Sequence, residues 1–205
     1  MVVIPKINAV GRLLKNHETN RLLTYFAGTD ESKKPALAHF LEDTNTLRKQ
    51  MTKDAENEVS VDPSEEAIVV LAPIPEGLNG LLANCLLQEY EKPVAVFSPL
   101  EKDPSILVGS LRSKEGFNIL KALEGQKVPF LSKGGHAFAG GVSIKAEDFP
   151  AFKKDFVFAA LKHKLQKKEV SLIPLSKEEC TMANLRLLQE FGPFGMEHPA
   201  PHFLL

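Results

Sequence analysis

The chain has 205 residues, 43% of them hydrophobic and 25% charged, which is the composition of an ordinary globular protein. Its 25 basic and 26 acidic residues give a formal net charge of −1, which excludes a polycationic protein but allows a local basic surface. The two cysteines lie far apart and outside any metal-binding spacing, so the sequence predicts neither a disulfide framework nor a zinc site. No apolar run of about 18 residues and no signal-peptide pattern occur, so we expect a cytoplasmic protein with no membrane partner.

The first 61 residues are predicted to form a helical connector. Apolar residues recur at helical spacing from Ile7 to Phe26, and Gly28 ends that pattern. A second helix begins at Pro35 and continues to about Val59. Its narrow apolar stripe and polar remainder are typical of a helix that connects two bodies. The predicted stripe consists of Leu37, Phe40, Leu41, Leu47 and Met51.

Asp62–Ser64 marks a change in composition, and residues 62–169 are predicted to form an α/β domain. The continuous apolar run Ala67–Ala72 is typical of a strand that is buried on both faces. A strand, a helix and a second strand within about 30 residues indicate a βαβ crossover. The fold class is therefore α/β, with a mixed, partly parallel sheet flanked by helices and preceded by a long connecting helix. The other predicted elements are helix 77–90, strands 93–97, 106–111 and 142–144, and helices 117–123 and 149–165.

Residues 170–205 are predicted to form a small further unit with a short strand, a helix around 182–191 and an extended end. Because its last four residues, 202–205, are largely apolar and the chain stops abruptly there, we expect this unit to be cut from a longer protein. An exposed apolar end of this kind is expected to promote self-association. The lysines on helix 149–165 favour a solvated helix face over a nucleic-acid-binding one.

Residues 134–141 carry the strongest local signal of a binding site. Four glycines and two alanines among eight residues indicate that some group approaches the backbone closely. In one interpretation, backbone amides bind a phosphate and the side chain of His136 is directed at it. In the other, the segment is a tight turn packed under a helix and His136 makes a structural hydrogen bond. The spacing matches neither a P-loop nor a dinucleotide-binding motif.

Two further segments place arginines at candidate functional positions. Ser110 and Arg112 lie two positions apart at the end of a predicted strand, where ligands of open α/β sheets gather; an ion pair at the sheet edge is the alternative. Gly11 interrupts a predicted helix at a cost of about 1 kcal/mol, which indicates that another segment approaches there, beside Arg12. No group of acidic residues and histidines has the spacing of a two-metal site. The residues alone therefore predict a phosphate-binding protein without evident catalytic machinery.

Four segments together resemble the DHH phosphoesterases, and among them the single-strand-specific DNA exonucleases. In the order of that family, Ile4–Leu13 is similar to P-R-I-N-A-A-G-R-L, Gly109–Ser113 to G-S-x-R-S, Gly134–Gly141 to G-G-H-x-x-A-A-G, and Phe191–Pro201 to L-x-P-F-G-x-x-N-P-x-P. The resemblance spans nearly the whole chain. It departs from the family at Ile74–Gly77, where the family has W-H-x-G, so we assign no role to that loop.

The resemblance implies the C-terminal part of a 5′-to-3′ single-stranded-DNA exonuclease: a connecting helix, a DHH-associated domain and the start of an oligonucleotide-binding domain. Two Mn²⁺ or Mg²⁺ ions would be held by a DHH domain that this chain lacks, so we expect the chain alone to bind single-stranded DNA weakly and not to cut it. The alternatives are a DHH-type phosphodiesterase of short RNA or cyclic dinucleotides, and a non-catalytic nucleic-acid-binding module.

The resemblance also implies roles for individual residues. The candidate catalytic residue is His136, which would orient or polarise the phosphate at the strand end that is cleaved. No metal ligand is implied in this chain. The residues implied to contact or line the substrate phosphates are Arg12, Ser110, Arg112, Gly134 and Gly135.

Overall fold

The computed structural model describes residues 3–14, 19–20, 22, 26–28, 32, 34–162, 172–194, 198 and 200–204. The chain divides into two compact units, Met1–Gln166 and Lys167–Leu205. The division of the first unit into a connector and an α/β domain at residue 62 stays a prediction. Within the described ranges, no helix is both long and apolar enough to cross a membrane.

Two helices begin the first unit. Helix α1 (Ile4–Leu13) has Pro5 in its first turn, where a backbone N–H would have no helical partner in any case. Helix α2 (Lys34–Glu58) begins one residue before the position predicted from Pro35. The two helices pack in a small apolar cluster together with Leu22 from the segment between them, and its buried members are Val10, Leu22 and Leu41.

The buried face of α2 differs from the predicted apolar stripe. Leu47 is 52% exposed, whereas the polar residues Thr44, Asn45 and Thr52 are buried. Thr44 and Thr52 donate their hydroxyl hydrogens to carbonyls one turn earlier, at 2.7 and 2.8 Å, so their burial leaves no unpaired donor. Leu47 was predicted to lie on the apolar face of the helix, and this was wrong because the prediction considered only apolar residues and not the polar residues that are buried there.

The central sheet has five strands. Strands β1 (Ile68–Leu71) and β2 (Val94–Leu100) are parallel, and helix α3 (Asn79–Tyr90) connects them in the predicted βαβ crossover. The antiparallel part of the sheet contains β3 (Asp103–Arg112), β4 (Ser132–Gly135) and β5 (Ala139–Lys145). The spatial order is β1-β2-β3-β5-β4, which confirms the predicted mixed, partly parallel α/β fold.

Helices cover the two faces of the sheet. Ile68 and Val70 of β1 pack with α3 and the end of α2, whereas Val69 packs on the opposite face. The alternation explains why a strand buried on both sides appears in the sequence as an unbroken apolar run. The opposite face is covered by helices α4 (Ile119–Glu124) and α5 (Phe149–Lys162). The predicted continuation of α5 to residue 165 lies outside the described residues.

The second unit contains the predicted strand, helix and extended end. Strand β6 (Leu172–Pro174) pairs in parallel with β7 (His202–Leu204), and helix α6 (Met182–Glu190) lies between them in the sequence. The side chain of Thr181 caps α6 by accepting a hydrogen bond from a backbone N–H in its first turn. Short 3₁₀ turns precede α3, α5 and α6, at Glu76–Leu78, Ala146–Asp148 and Lys177–Glu179.

Candidate functional site

Ser110 and Arg112 extend from β3 toward the start of α3. Being two positions apart on a strand, they point to the same face of the sheet. The Nη2 atom of Arg112 lies 2.8 Å, and the Oγ of Ser110 3.8 Å, from the position that a Cβ would occupy on Gly80. Gly80 is buried in the first turn of α3. Its missing side chain lets both polar groups approach a helix N-terminus, which carries partial positive charge and favours anions.

Arg12 joins these two residues from the C-terminal turn of α1. Its Nη1 donates a hydrogen bond of 3.1 Å to the carbonyl of Gly77, in the 3₁₀ turn that precedes α3. Burial and, to a lesser extent, the charge of Arg12 lower the pKa of Arg112. The structure therefore places two guanidinium groups, from positions a hundred residues apart, within electrostatic reach of each other. Neither of them forms an ion pair with a carboxylate in the part of the chain that the structure describes.

This arginine cluster, which we define as Arg12, Ser110 and Arg112, is suited to a phosphate. Two neighbouring cations repel each other, and an anion bound between them relieves that repulsion. The planar guanidinium presents paired N–H groups that match two phosphate oxygens, and the Ser110 hydroxyl adds a further donor. Arg112 does not form the ion pair at the sheet edge that the alternative interpretation required, as far as the described residues show.

The close approach predicted at Gly11 occurs at Gly77 instead. A Cβ added to Gly11 would meet no atom within 4 Å, so that part of the prediction was wrong. A Cβ on Gly77 would lie 2.2 Å from the carbonyl oxygen of Arg12, well inside van der Waals contact. The loop 74–77, which had no assigned role, is therefore the place where the helix carrying Arg12 packs against the α/β domain.

The glycine-rich segment Gly134–Gly141 forms a hairpin from the end of β4 to the start of β5. Gly135 has a φ of 143°, and a Cβ there would lie 2.3 Å from the carbonyl oxygen of Ala139, so this position requires glycine. Gly140 packs against Ile119 of α4. The backbone is therefore a tight turn against a helix, as one interpretation proposed. The side chain of His136 is exposed and makes no hydrogen bond to a described residue, unlike the structural histidine of that interpretation.

The sheet register connects the hairpin to the arginine cluster. Ser110 pairs with Gly141, and Gly141 pairs with Gly134, so the three residues form one row across β3, β5 and β4 on the same face. At a strand spacing of about 4.8 Å, the row spans about 10 Å. Both glycines are exposed, and a Cβ on Gly134 would meet no atom within 4 Å. We call this row of Ser110, Gly141 and Gly134 the glycine strip.

Backbone hydrogen bonds fix the hairpin tip beside the end of β3. The N–H of His136 donates to Ala139 at 2.7 Å, and the N–H of Ser113 donates to Phe138 at 3.0 Å. The buried Ser113 also donates its hydroxyl to the carbonyl of Phe117 at 2.8 Å. Ser113 therefore positions the tip that carries His136. No role was predicted for Ser113 from the sequence, although this residue ends the G-S-x-R-S segment.

The described residues do not fit the metal ions that the resemblance implies for the intact enzyme. Among them, no three His, Cys, Asp or Glu side chains lie close enough together to hold a metal ion. The groups that do meet at the site are guanidinium, hydroxyl and backbone amide, which bind anions rather than cations. No chemical step is therefore assigned to a metal through this chain.

Comparison with known proteins agrees with the family resemblance of the sequence segments. Residues 69–162 match the DHHA1 domain family. The chain is 30% identical over 217 residues to the single-stranded-DNA-specific exonuclease RecJ of Escherichia coli, covering 97% of this chain and 37% of the relative. It is 27% identical over 212 residues to the Bacillus subtilis exonuclease of the same name, covering 98% and 26%. The Mg²⁺ complex of Thermus thermophilus RecJ aligns with a TM-score of 0.82 at 28% identity, over 98% of this chain and 32% of that one. A Mn²⁺ complex of the same protein aligns with a TM-score of 0.80.

The fold, the site and these matches show that the chain carries a DHHA1 domain of the DHH family. The chain is similar to the RecJ exonucleases over almost its whole length. The chain spans 26% and 37% of the lengths of the two curated relatives.

Proposed function

We propose that this chain is the part of a 5′-to-3′ single-stranded-DNA-specific exonuclease that binds and positions the phosphate backbone. The observation that carries the proposal is the arginine cluster at the start of α3, in which two guanidinium groups lack a described carboxylate partner. The RecJ relatives support the choice of single-stranded DNA. They do not favour the alternatives of a short-RNA or cyclic-dinucleotide phosphodiesterase and a non-catalytic module.

In this proposal, the DNA backbone runs along the glycine strip. Arg12 and Arg112 hold one phosphate against the N-terminus of α3, and Ser110 donates its hydroxyl to the same phosphate. The bare backbone of Gly134 and Gly141 lets the strand lie close to the sheet, because no side chain lifts it away. His136, exposed at the hairpin tip, orients the phosphate at the strand end that is cleaved.

The ions needed for hydrolysis belong to the longer protein. The Thermus relative was crystallised with Mg²⁺ and with Mn²⁺, and we propose that the intact form of this cytoplasmic enzyme uses one of them. Such ions stabilise the charge that develops on phosphate oxygens. The present chain contributes binding and orientation of the strand, so its role can be measured as DNA affinity, separately from cleavage.

Removing Arg112 is expected to weaken DNA binding and make it less sensitive to salt. One phosphate contact fewer lowers the slope of log K against log salt by about 0.7 in magnitude for a single strand. The lost charge-assisted hydrogen bonds correspond to an affinity about tenfold lower. Fluorescence anisotropy of a labelled single-stranded oligonucleotide, titrated with wild type and Arg112→Ala at several salt concentrations, measures both quantities.

Lys102→Ala is the matched control, because Lys102 stands in the turn just before β3 and Arg112 at the opposite end of that strand. Both variants lose one positive charge, and about 30 Å of strand separates the two positions. We expect Lys102→Ala to bind as wild type does. Equal losses in both variants, or an unchanged salt slope in Arg112→Ala, would show that the arginine cluster does not hold a phosphate.

The second unit exposes an apolar surface through which we propose that the chain self-associates. Met182 and Phe191 are 66% and 63% exposed, and Leu204 of β7 is 58% exposed. Burial of such side chains in a second copy is favourable by about 25 cal/mol per Å² of apolar surface. Light scattering over a concentration series is expected to show a rise in mean mass. A mass that stays monomeric at every concentration contradicts the proposal.

A further inference from the structure

An exposed aromatic ring lies at the tip of the hairpin between β4 and β5. Phe138 is 39% exposed, whereas the neighbouring Phe117 is buried. Phe138 borders a cavity of about 290 Å³ on the side of the sheet that carries α4. The cavity is lined by Gly116, Phe117, Asn118, Lys121, Ala137 and Phe138.

The backbone beneath the Phe138 ring is held in place. The carbonyl of Phe138 accepts a hydrogen bond of 3.0 Å from the N–H of Ser113, at the end of β3. The carbonyl of Ala137 accepts one of 2.8 Å from the N–H of Ile119, at the start of α4. A surface that is already fixed loses little conformational entropy when a ligand binds, so the ring is pre-organised for contact.

The cavity wall beside Phe138 offers hydrogen-bond donors. The Oδ1 of Asn118 caps α4 by accepting a hydrogen bond of 3.2 Å from the N–H of Lys121. The Nδ2 of Asn118 and the ammonium of Lys121 have no hydrogen-bond partner among the described residues. An aromatic face with nearby N–H donors matches a nucleobase, which has two π faces and several acceptor atoms on its edge. The volume lies at the lower end of the range for small ligands, so the cavity accommodates a single base.

We propose that Phe138 is a stacking platform for one nucleobase of the bound single strand, with Asn118 and Lys121 at the edge of that base. This inference rests on the proposed function. Phe138 follows Gly135 by three residues, so their Cα atoms lie at most about 11 Å apart. The glycine strip lies on the face of the sheet that carries α3 and the cavity on the face that carries α4, so the bound strand passes around the hairpin tip to place a base on the ring. Stacking on an aromatic ring tolerates any base, as a sequence-independent exonuclease requires.

The absence of tryptophan from the chain allows a direct test. Phe138→Trp makes an indole the single tryptophan fluorophore, and its emission is quenched when a base stacks on it. Phe158→Trp is the matched control, because Phe158 is also exposed, at 54%, but lies on α5. We expect a single-stranded oligonucleotide to quench the first variant and not the second. An oligonucleotide of the same length with abasic sites, which keeps every phosphate, should leave both emissions unchanged.

Affinity measurements separate this inference from the proposed function. Phe138→Ala is expected to bind the intact oligonucleotide about fivefold or more weakly, with an unchanged salt slope, and Phe138→Tyr should restore affinity. If wild type binds intact and abasic strands equally and Phe138→Trp is not quenched, the stacking role is excluded while phosphate binding stands. Equal quenching of Phe158→Trp also excludes it. If wild type binds neither strand, the proposed function and the stacking role both fail.

Discussion

Gly109→Ala is expected to lower the free energy of unfolding by about 2 kcal/mol. A Cβ at this position would lie 2.5 to 2.8 Å from three atoms of the Phe97 ring, on the neighbouring strand β2. That ring is fully buried and packs edge-on against Phe149 and Phe152, with centroids 5.4 and 4.9 Å away, so it has no free space to move into. Overpacking of a dense core costs about 1 to 3 kcal/mol. Urea denaturation followed by circular dichroism measures the change.

Gly134→Ala is the matched control for this prediction. Gly134 is also a strand glycine in one of the segments that resemble the family, but a Cβ there would meet no atom within 4 Å and its φ is not positive. We expect its stability to remain within about 0.5 kcal/mol of wild type, as for most surface substitutions. If Gly109→Ala is as stable as Gly134→Ala, the Phe97 ring is not confined in the way the structure indicates.

The glycines of the recognised segments therefore have two different physical roles. Gly109 and Gly135 are required by packing and by backbone conformation, since a side chain at either would meet a ring or a carbonyl. Gly134 and Gly141 keep one face of the sheet bare. The sequence could show only that glycine was abundant. It could not show which positions face the core, because that depends on the register of three strands.

The parts of the fold that were predictable are those whose pattern is set by local burial. The run Ala67–Ala72 contains strand β1 and is buried except at Leu71, because both faces of the strand are covered, and this leaves an unbroken apolar run in the sequence. Strand β4 was not predicted, since Ser-Lys-Gly-Gly has low strand propensity and is fully exposed; its pairing with β5 makes it a strand. Leu47 was misplaced because hydroxyl groups bonded to the backbone occupy the buried face of α2.

The candidate site was predictable where its residues are neighbours in the sequence. The spacing of Ser110 and Arg112 was enough to place both on one face of a strand. Arg12 could be added only through the family resemblance, because no local pattern shows that α1 packs beside α3. The wrong prediction at Gly11 has the same cause. The sequence shows that a glycine lies within a helix, but the contact between Gly77 and Arg12 depends on the tertiary fold.

Gly77→Ala is expected to weaken DNA binding about tenfold by displacing Arg12, although Gly77 itself contacts no phosphate in our proposal. The new Cβ would lie 2.2 Å from the carbonyl oxygen of Arg12 and 2.9 Å from its carbonyl carbon and Cα. All three are backbone atoms, so no side-chain rotation relieves the clash and α1 must move. The hydrogen bond from Arg12 to the Gly77 carbonyl would then break. Anisotropy titrations should show a salt slope smaller in magnitude by about 0.7, as for Arg12→Ala.

Gly11→Ala tests whether this effect depends on the clash. Gly11 lies next to Arg12 on α1, but a Cβ there has open space around it. Alanine also favours the helix by about 1 kcal/mol over glycine, so this variant should be slightly more stable than wild type and bind DNA equally well. The double variant Gly77→Ala/Arg12→Ala should bind no more weakly than Arg12→Ala, because both changes remove the same phosphate contact. If the two changes reduce DNA affinity additively, Gly77→Ala disturbs the α/β domain itself. If Gly77→Ala binds DNA with wild-type affinity, Arg12 does not need the packing of α1 to reach the phosphate.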